Sequence, residues 1–518
     1  MVTLPARWIK QPQRNEDGRR AMAGNDREIE LKLELDEGGA TTLRAHPALA
    51  GLSPVTADQH STYYDTPGGA LRKAGFSLRL RASKGRLVQT VKLQADGAAG
   101  LFDRPEWECD VAGPDPDLVA AAETPLGALL GRKVRAQLRP VIRSDVTRTT
   151  WLTQRDGSTI ALVLDEGEVT GGDAGERIVE VELELEAGAP ASLIGLAQEL
   201  AATVPARLGV LTKAERGYRL TDGSAGRATK ADRIALDDTM SAAAALAAIA
   251  SSCLRQFRLN EPLVAVRRDP SALHQARVAM RRLRSAFSLF RPIVAGDATF
   301  AILREEVRWL TDQLGDARNL DVLLKRVGRR SKPLRAVLEA ERERAYARVL
   351  EALHSGRLRR LLLDLVAWIE LGEWRQTERA RAPIRPFVSA RLDKSWRKVR
   401  KGGRKLARID AEARHDLRID VKKLRYAIEF TATLHGGDAA TKAETFAAEV
   451  EEIQERLGDL NDAETARILL EDVLGNRADR DKLLRSALKD GKQVSEDKIV
   501  EAASAAHERL VEIGRFWR

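Results

Sequence analysis

The first half of the chain alternates polar and apolar positions. Residues 28–35 read Glu-Ile-Glu-Leu-Lys-Leu-Glu-Leu, so charged side chains fall on one face of an extended strand and aliphatic side chains on the other. Comparable runs recur as far as residue 220, with turn signals such as Asp96-Gly97 and Asp156-Gly157 between them. The pattern predicts that residues 26–220 form a mainly β domain.

The charged faces of these strands each carry mainly one sign. Arginines alternate with apolar residues in 76–81, glutamates alternate in 180–186, and a further charged row spans residues 104–110. Two arrangements fit this pattern: a sheet with one solvated face, and a closed barrel whose polar face points inward. Like charges along a strand repel one another unless an opposite charge lies between them, so the segregation of signs favours the barrel.

The pattern changes after residue 220. Residues 221–235 begin with small and polar residues, and we interpret them as a linker. In residues 236–516, Ala, Leu, Arg and Glu dominate and apolar residues recur at intervals of three and four, which predicts an all-α domain. Residues 1–25 are expected to be a disordered tail. The chain is therefore predicted to be an α+β multidomain protein.

Charge is divided unevenly between the two halves. The net charge is +10 for the whole chain, −2 for residues 1–230 and +12 for residues 231–518, so we expect a polyanion to bind the second half. The chain lacks an apolar run near the ~20 residues that a membrane span needs and the apolar centre of a signal peptide, which predicts a cytoplasmic protein without membrane association. Cys109 and Cys253 have no zinc or CxxC spacing and are expected to be reduced.

Short motifs follow one another along the first half in a defined order. They are Glu28-x-Glu30-x-Lys32, Tyr63-Tyr64-Asp65-Thr66, Leu78-Arg79-Leu80-Arg81, Thr90-Val91-Lys92, Leu164-Asp165, Glu180-Val181-Glu182-x-Glu184 and Lys213-x-x-Arg216-Gly217-Tyr218. This ordered set resembles the CYTH domain of the triphosphate tunnel metalloenzymes. The resemblance implies an eight-stranded antiparallel β tunnel that binds a triphosphate through basic residues and activates it with Mg²⁺ or Mn²⁺.

The resemblance also implies roles for residues of both signs. The expected metal ligands are Glu28, Glu30, Asp165, Glu180, Glu182 and Glu184. The expected phosphate ligands are Lys32, Arg79, Arg81, Lys92, Arg148 and Lys213. The expected catalytic residues are Glu28, Glu30, Lys32 and Lys92. An octahedral Mg²⁺ keeps several waters, so the carboxylates cannot all be direct ligands.

Three questions about this half stay open at the level of sequence. Arg143 is the alternative to Arg148, because the sequence does not fix the register of that strand. Tyr63, Tyr64 and Asp65 fit a structural turn as well as a substrate contact. No Ser, Cys or His of this half lies in a nucleophile pattern, so we expect a metal-activated water to attack the phosphorus in line.

The second half contains an internal duplication. His274-x-x-Arg277-x-x-x-Arg281-Arg282-Leu283-Arg284 and His415-x-x-Arg418-x-x-x-Lys422-Lys423-Leu424-Arg425 share one template, and Leu-Gly-Asp follows each copy at 314–316 and 457–459. On a helix the histidine and the basic residues at +3, +7 and +10 fall within an arc of about 80°. A one-signed stripe kept in both copies indicates that a polyanion binds it. The Leu-Gly-Asp segments are predicted to be helix–helix connections with Asp caps.

These paired motifs resemble the CHAD domain, here over residues 236–516. The resemblance implies two pseudo-symmetric four-helix bundles whose basic stripes face a shared groove that binds inorganic polyphosphate. The expected polyphosphate ligands are His274, Arg277, Arg281, Arg282, Arg284, His415, Arg418, Lys422, Lys423 and Arg425. Aromatic residues make up only 4% of the chain and do not interleave with the basic positions, so nucleic acid is not the expected partner.

The order of the two domains resembles bacterial CYTH–CHAD inorganic triphosphatases. The expected function is therefore metal-dependent hydrolysis of inorganic tripolyphosphate in the tunnel, with long-chain polyphosphate bound by the helical domain and polyphosphate granules as a further location. Adenylyl cyclase activity of class IV type, or thiamine triphosphatase activity, in the same tunnel is one alternative. A non-catalytic polyphosphate-binding scaffold is another, and the intact sets of acidic and basic residues argue against it.

Overall fold

The computed structural model describes residues 23–36, 38–93, 99–327, 332–404, 406–475 and 496–518, together with the single positions 480 and 483. The chain forms two compact units, residues 1–227 and residues 228–518. Among the helices of the described residues, none combines the length and the apolar character that a membrane crossing requires.

Antiparallel strands form the framework of the first unit. They are β1 (Ala23–Leu35), β2 (Val55–Asp65), β3 (Phe76–Ser83), β4 (Arg86–Leu93), β5 (Leu101–Asp110), β6 (Arg139–Arg155), β7 (Ser158–Gly171), β8 (Ala174–Ala187) and β9 (Ala206–Leu208). The sheet order is β5-β4-β3-β2-β6-β7-β8-β1, and β1 also pairs with β5, so these eight strands close a barrel. The short β9 extends the sheet beside the end of β1. The predicted eight-stranded antiparallel tunnel is confirmed.

The helices of the first unit cover the barrel and close one end of it. They are α1 (Gly39–Arg44), α2 (Ala70–Lys73), α3 (Leu118–Ala122), α4 (Arg132–Gln137), α5 (Pro190–Thr203) and α6 (Lys213–Thr221), with 3-10 turns at Pro47–Leu49 and Pro125–Leu129. Helix α5 packs on β1 and β8, where Leu31 and Leu33 point outward and are buried. Side chains alternate along a strand, so Glu30 and Lys32 between them point into the barrel.

Helix α6 fills one end of the barrel interior. It packs against Ile142 and Val146, which lie on the same face of β6 as the predicted phosphate ligand Arg148. A Cβ atom on Gly217 would lie 2.3 Å from Ile142 Cγ2, so glycine is required for this close approach. The opposite, open part of the barrel is left for a ligand.

Some sequence boundaries differ from the structure. Strand β1 begins at Ala23, inside the predicted tail 1–25, because its first residues pair with β5; residues 1–22 lie outside the described residues. The Asp156-Gly157 turn joins β6 and β7 with φ of 47° and 71°, as its sequence predicts, whereas Asp96-Gly97 lies outside the described residues. Part of the predicted linker 221–235 belongs to the second unit, since that unit begins at Ala228 and Thr229 donates its N–H to Asn260 Oδ1 at 2.9 Å.

The second unit is helical. Its helices are α7 (Ala242–Arg267), α8 (Pro270–Val294), α9 (Ala298–Gln313), α10 (Gly315–Val327), α11 (Lys332–His354), α12 (Gly356–Leu371), α13 (Glu378–Arg381), α14 (Ile384–Gly403), α15 (Ala411–Thr431), α16 (Gly437–Leu474) and α17 (Glu496–Ile513). Short 3-10 turns lie at Glu373–Gln376, Leu406–Arg408 and Ala432–Leu434.

The duplicated template produces two similar groups of helices. In the first, α7 packs on α8, α8 on α9 and α10, α10 on α11, and α11 on α7. In the second, α14 packs on α15, α15 on α16, α16 on α17, and α17 on α14. The two template helices, α8 and α15, pack against each other, so the basic helices lie at the junction of the two groups.

The predicted helix–helix connections at Leu-Gly-Asp are only half right. In the first copy α9 ends at Gln313 and α10 begins at Gly315, so the segment is a junction. In the second copy residues 457–459 lie inside the continuous helix α16, and the prediction is wrong there. A helical glycine costs only about 1 kcal/mol relative to alanine, and Leu457 is buried, so packing overrides the local preference at Gly458.

Candidate functional site

Charged side chains of both signs line the interior of the barrel. The cavity has a volume of about 710 Å³. The predicted residues that line it are Glu28, Glu30, Lys32, Arg79, Arg81, Lys92, Arg148, Glu182, Glu184 and Lys213. Asp165 and Glu180 are buried behind this lining and bind Lys213. Sequence alternation and barrel closure thus bring all of the predicted tunnel residues into one charged network.

One group of carboxylates converges from β1 and β8. Glu28, Glu30 and Glu184 each offer one oxygen, and these oxygens lie within 4.8 Å of one another. Glu30 and Glu184 are direct partners in the β1–β8 register. The negative charge of Glu184 is only weakly compensated, because the nitrogen–oxygen distance in its ion pair with Arg148 is 3.5 Å. Burial raises the pKa of Glu184 to about 8, opposed by Arg148 and reinforced by nearby carboxylates.

This group fits a divalent cation. Mg²⁺ and Mn²⁺ prefer oxygen ligands and dense negative charge, which three converging carboxylates supply. Within the group, Glu184 is the carboxylate that cations compensate least, because burial outweighs the effect of Arg148 on its pKa. We therefore regard Glu28, Glu30 and Glu184 as the residues that would hold the metal.

A second group of carboxylates is compensated more fully, by Lys213 together with Lys32 and Arg148, which also contact the first group. Asp165, Glu180 and Glu182 also place oxygens within 4.8 Å of one another. Lys213 Nζ lies 2.7 Å from Asp165 and 2.9 Å from Glu182, and it also binds Glu180. Arg148 adds contacts of 2.6 Å to Asp165 and 2.6 Å to Glu182. Despite burial, Lys213, Lys32 and Arg148 hold the pKa of Glu182 well below its usual range. This group forms a buried ion-pair network.

The opposite wall presents cations from β3 and β4. Arg79 donates to Thr90 Oγ1 at 3.1 Å, and Arg81 lies 3.4 Å from Glu108. The neighbouring guanidinium of Arg79 lowers the pKa of Arg81, so the two cations repel each other. In the described structure the buried Nε of Arg79 has no hydrogen-bond partner. An anion with several oxygens would relieve both the repulsion and the unsatisfied donor.

Strand β5 contributes charged residues that the sequence-based site left out. Arg104 binds Glu28 at 3.0 Å and Glu30 at 2.5 Å, and Glu106 lies 3.1 Å from Lys92. The charged row 104–110 was the available signal, but only the pairing of β5 with β1 shows that it faces the metal-side carboxylates.

The register also separates the two arginines of β6: Arg148 points inward, whereas Arg143 is exposed.

The motif Tyr63-Tyr64-Asp65-Thr66 contains both structural residues and residues that line the cavity. Asp65 is fully buried and accepts hydrogen bonds from the backbone N–H groups of Thr66, Leu71 and Arg72 at 2.7–3.0 Å. It also accepts one from Tyr218 Oη at 2.8 Å, which ties β2 to α6. Asp65 is therefore a structural residue. Tyr63 lines the cavity.

A basic surface forms between α8 and α10 in the helical unit. His274, Arg277 and Arg281 are half-buried on α8, and Arg318 and Lys325 join them electrostatically from α10. Burial and these four cations lower the pKa of His274 to about 4, so its imidazole is neutral at pH 7. We call these five residues the α8–α10 basic surface. The sequence template did not include the two α10 residues, because they lie outside the repeated motif.

The predicted polyphosphate ligand Arg282 lies outside the α8–α10 basic surface. Its side chain is 2% exposed and donates to Glu429 Oε1 at 2.8 Å and Gln256 Oε1 at 3.1 Å. This corrects the sequence-based assignment: Arg282 is a buried link between α8 and α15, because its position at +8 leaves the arc of the stripe. Its counterpart Lys423 is exposed, 4.0 Å from Asp420.

The remaining predicted residues occupy varied positions on the two template helices. Arg284 and His415 are exposed. Arg418 and Lys422 are half-buried on α15. Arg425 donates to Gln454 Oε1 at 2.8 Å. The two copies share a template but differ in burial and partners.

Both expected domains are found by comparison with protein families. Residues 26–218 match the CYTH domain, and residues 248–471 match the CHAD domain. An inorganic triphosphatase from Haemophilus influenzae is 29% identical over 205 residues. That match covers 37% of this chain and 54% of the relative, so the chain spans about half the length of the curated relative it matches.

Solved structures similar to each half are known. The CHAD domain from the plant Ricinus communis is 27% identical, and the match covers 54% of this chain and 96% of that chain with a TM-score of 0.49. HpAC1 from Hippeastrum, for which a dominant triphosphatase activity is described, is 20% identical, and the match covers 38% and 96% of the two chains with a TM-score of 0.28.

Proposed function

Because the chain carries a CYTH domain followed by a CHAD domain, we propose that its tunnel hydrolyses inorganic tripolyphosphate with Mg²⁺ or Mn²⁺. A metal-dependent hydrolase acting on triphosphates is the activity that the CYTH match supports. One observation carries the proposal: a carboxylate group that fits a divalent cation and a cationic wall with an unsatisfied buried donor share one cavity.

The tunnel residues have complementary tasks in this reaction. When bound by Glu28, Glu30 and Glu184, a divalent cation supplies charge neutralisation and a water of lowered pKa. Arg79 and Arg81 orient phosphate oxygens through paired N–H donors. Lys92 adds a positive charge beside the reacting phosphates. Attack of water on a terminal phosphorus breaks the bridging P–O bond and yields phosphate and pyrophosphate.

The lining favours an inorganic substrate over a nucleotide or thiamine triphosphate. Among the described residues that line the cavity, Tyr63 is the single aromatic. Adenine and thiamine rings are usually bound by stacking on aromatic or apolar side chains, whereas this cavity offers mostly charges. A bare polyphosphate therefore fits better.

Phosphate release from tripolyphosphate, ATP and thiamine triphosphate tests this assignment. Each substrate is assayed with Mg²⁺ and with Mn²⁺, using the wild-type chain, Glu28→Gln and the control Asp103→Asn, whose carboxylate is exposed and pairs with Arg27. We expect release from tripolyphosphate that Glu28→Gln abolishes and Asp103→Asn retains. Pyrophosphate and cyclic AMP from ATP would instead establish a cyclase. No release from any substrate would leave a non-catalytic scaffold.

For the helical unit we propose binding of long-chain inorganic polyphosphate at the α8–α10 basic surface. Burial and the neighbouring Arg281 and Arg318 lower the pKa of Arg277 to about 10 despite Asp316 and Asp312, so the effect of the cations outweighs that of the acids at this position. The proposed set of polyphosphate ligands also includes His415, Arg418, Lys422, Lys423, Arg425 and Arg284. We further propose a cytoplasmic location at polyphosphate granules, and imaging of a fluorescent fusion beside a granule stain tests it.

A further inference from the structure

Arg104 bridges Glu28 and Glu30, two of the three carboxylates that we assign to the metal. Its Nε lies 3.0 Å from Glu28 Oε2 and its Nη2 lies 2.5 Å from Glu30 Oε1. Among the described residues, Arg104 alone forms ion pairs with both carboxylates; Lys92 reaches Glu28, and Lys32 reaches Glu30. The contact is built into the fold, since Arg104 stands directly opposite Glu28 in the β1–β5 register that closes the barrel.

This contact conflicts with metal binding. The carboxylate oxygens that accept from the guanidinium belong to two of the three residues whose oxygens converge for a cation. A divalent cation between these oxygens would also lie close to a fixed positive charge, in a cavity where charges are poorly screened. Metal and guanidinium therefore compete for the same negative charge.

The displaced guanidinium has a destination in the same cavity. Arg104 lines the cavity and is 6% exposed, so its side chain reaches the volume that we assign to the substrate. Its guanidinium also lies 5.2 Å from the centre of the Phe102 ring, which supports it from one side. A guanidinium binds phosphate oxygens through the same paired N–H donors that hold a carboxylate.

We propose that Arg104 is a positioning residue that couples metal binding to triphosphate binding. Without substrate it holds Glu28 and Glu30 in place of the metal. When a triphosphate enters, the guanidinium transfers to phosphate oxygens and releases both carboxylates to the cation. This proposal rests on the proposed function of the tunnel. Coupling of this kind is reciprocal: metal and triphosphate each strengthen the binding of the other.

Direct binding measurements on the full chain test the coupling. Mn²⁺ affinity is measured by electron paramagnetic resonance without triphosphate, and tripolyphosphate affinity is measured by calorimetry in EDTA. We expect Arg104→Gln to bind Mn²⁺ about tenfold more tightly and tripolyphosphate about tenfold more weakly, because one charged contact is exchanged for another. Arg81→Gln is the matched control: it removes the same charge from the same cavity, but Arg81 contacts Glu108. Its Mn²⁺ affinity should stay within about threefold of wild type.

The outcomes separate coupling from a structural role. A purely structural Arg104 would predict weaker binding of both ligands and a lower melting temperature in Arg104→Gln. Unchanged or weaker Mn²⁺ binding in a variant with the wild-type melting temperature would overturn the proposal. If Arg104→Gln fails to fold, Arg104→Lys keeps the charge without bridging both carboxylates, and tighter Mn²⁺ binding is again expected.

Failure of the proposed function gives a different result. A wild-type chain that hydrolyses tripolyphosphate while the Mn²⁺ affinities of wild type and Arg104→Gln agree would refute the coupling alone. A wild-type chain without hydrolysis, in which Arg104→Gln still tightens Mn²⁺ binding, would support the exchange at Glu28 and Glu30 and refute the hydrolase.

Discussion

From the raised pKa of Glu184 we predict that metal binding to the tunnel depends on pH. Burial raises the pKa of its carboxyl to about 8, and the carboxylates of Glu182, Glu28 and Glu30 reinforce the shift against the effect of Arg148. In the metal-free protein at pH 7, Glu184 is therefore mostly protonated. A carboxylate must lose its proton to become a metal ligand, so binding must expel that proton.

The size of the effect follows from a single proton. Below pH 8 the ionised fraction of Glu184 falls about tenfold per pH unit, so Mn²⁺ affinity should fall about tenfold between pH 7 and pH 6 and level off above pH 9. Glu28 does not contribute to this slope. Although burial opposes it, Lys92 and Arg104 hold the pKa of Glu28 far below its usual range, so it stays ionised throughout this window.

Folding stability should depend on pH in the opposite direction. The pKa of Glu184 is about 8 in the folded chain against an ordinary value of 4.5, so the folded state retains a proton that the unfolded state releases. This contribution is complete below about pH 4.5 and is lost as the pH rises through 8. The metal-free wild-type chain should therefore melt at a progressively lower temperature, relative to Glu184→Gln, between pH 6 and pH 9.

Calorimetry in buffers of different ionisation enthalpy measures both the affinity and the proton. For wild type at pH 7 we expect release of nearly one proton per Mn²⁺, and for Glu184→Gln weaker binding with little proton release and little pH dependence. Glu186→Gln is the control, since Glu186 follows Glu184 on the same side of β8 but is exposed. A wild-type affinity that is constant from pH 6 to pH 8, or a slope that survives in Glu184→Gln, would refute the reasoning.

Further substitutions test the two units. Lys213→Met should destabilise the chain by about 3–5 kcal/mol in urea unfolding, because it removes the cation that three buried carboxylates share; an unchanged midpoint would contradict the ion-pair network. Asp65→Asn should cost about 1–3 kcal/mol, because an acceptor oxygen is lost among four hydrogen bonds, yet the activity of the folded fraction should persist. Arg281→Gln should weaken polyphosphate binding and flatten its salt dependence, whereas Arg282→Gln should leave the salt dependence unchanged and lower the melting temperature; equal effects on binding would contradict the separation.

Local pattern predicted the inward face of the tunnel well. The side-chain period of a strand is two, so once Leu31 and Leu33 were assigned to the covered side, Glu30 and Lys32 had to face the interior. Closure of the barrel is different, because it depends on pairing between distant segments. Arg104 meets Glu28 across 76 residues of sequence, and no local pattern indicates that register.

The duplicated helices show a second limit of local pattern. Arg282 and Lys423 occupy equivalent positions in the template. Arg282 is buried and forms an ion pair with Glu429, whereas Lys423 is exposed. The template records residue type and helical phase. Burial depends on which helix packs over each copy. Helix α15 packs on α8 and supplies Glu429, the ion-pair partner of the buried Arg282. Helical phase alone therefore did not predict the burial of the flanking position.

The two carboxylate groups of the tunnel illustrate why residue type alone did not separate metal ligands from structural ones. Both groups contain three acidic side chains with oxygens within 4.8 Å. They differ in their counter-ions: Lys213 forms ion pairs with all three carboxylates of one group, whereas Arg104 forms ion pairs with two carboxylates of the other. A buried lysine with three carboxylate partners is costly to displace, whereas a guanidinium beside a phosphate site can exchange one anion for another. The metal is therefore expected where the counter-ion can leave.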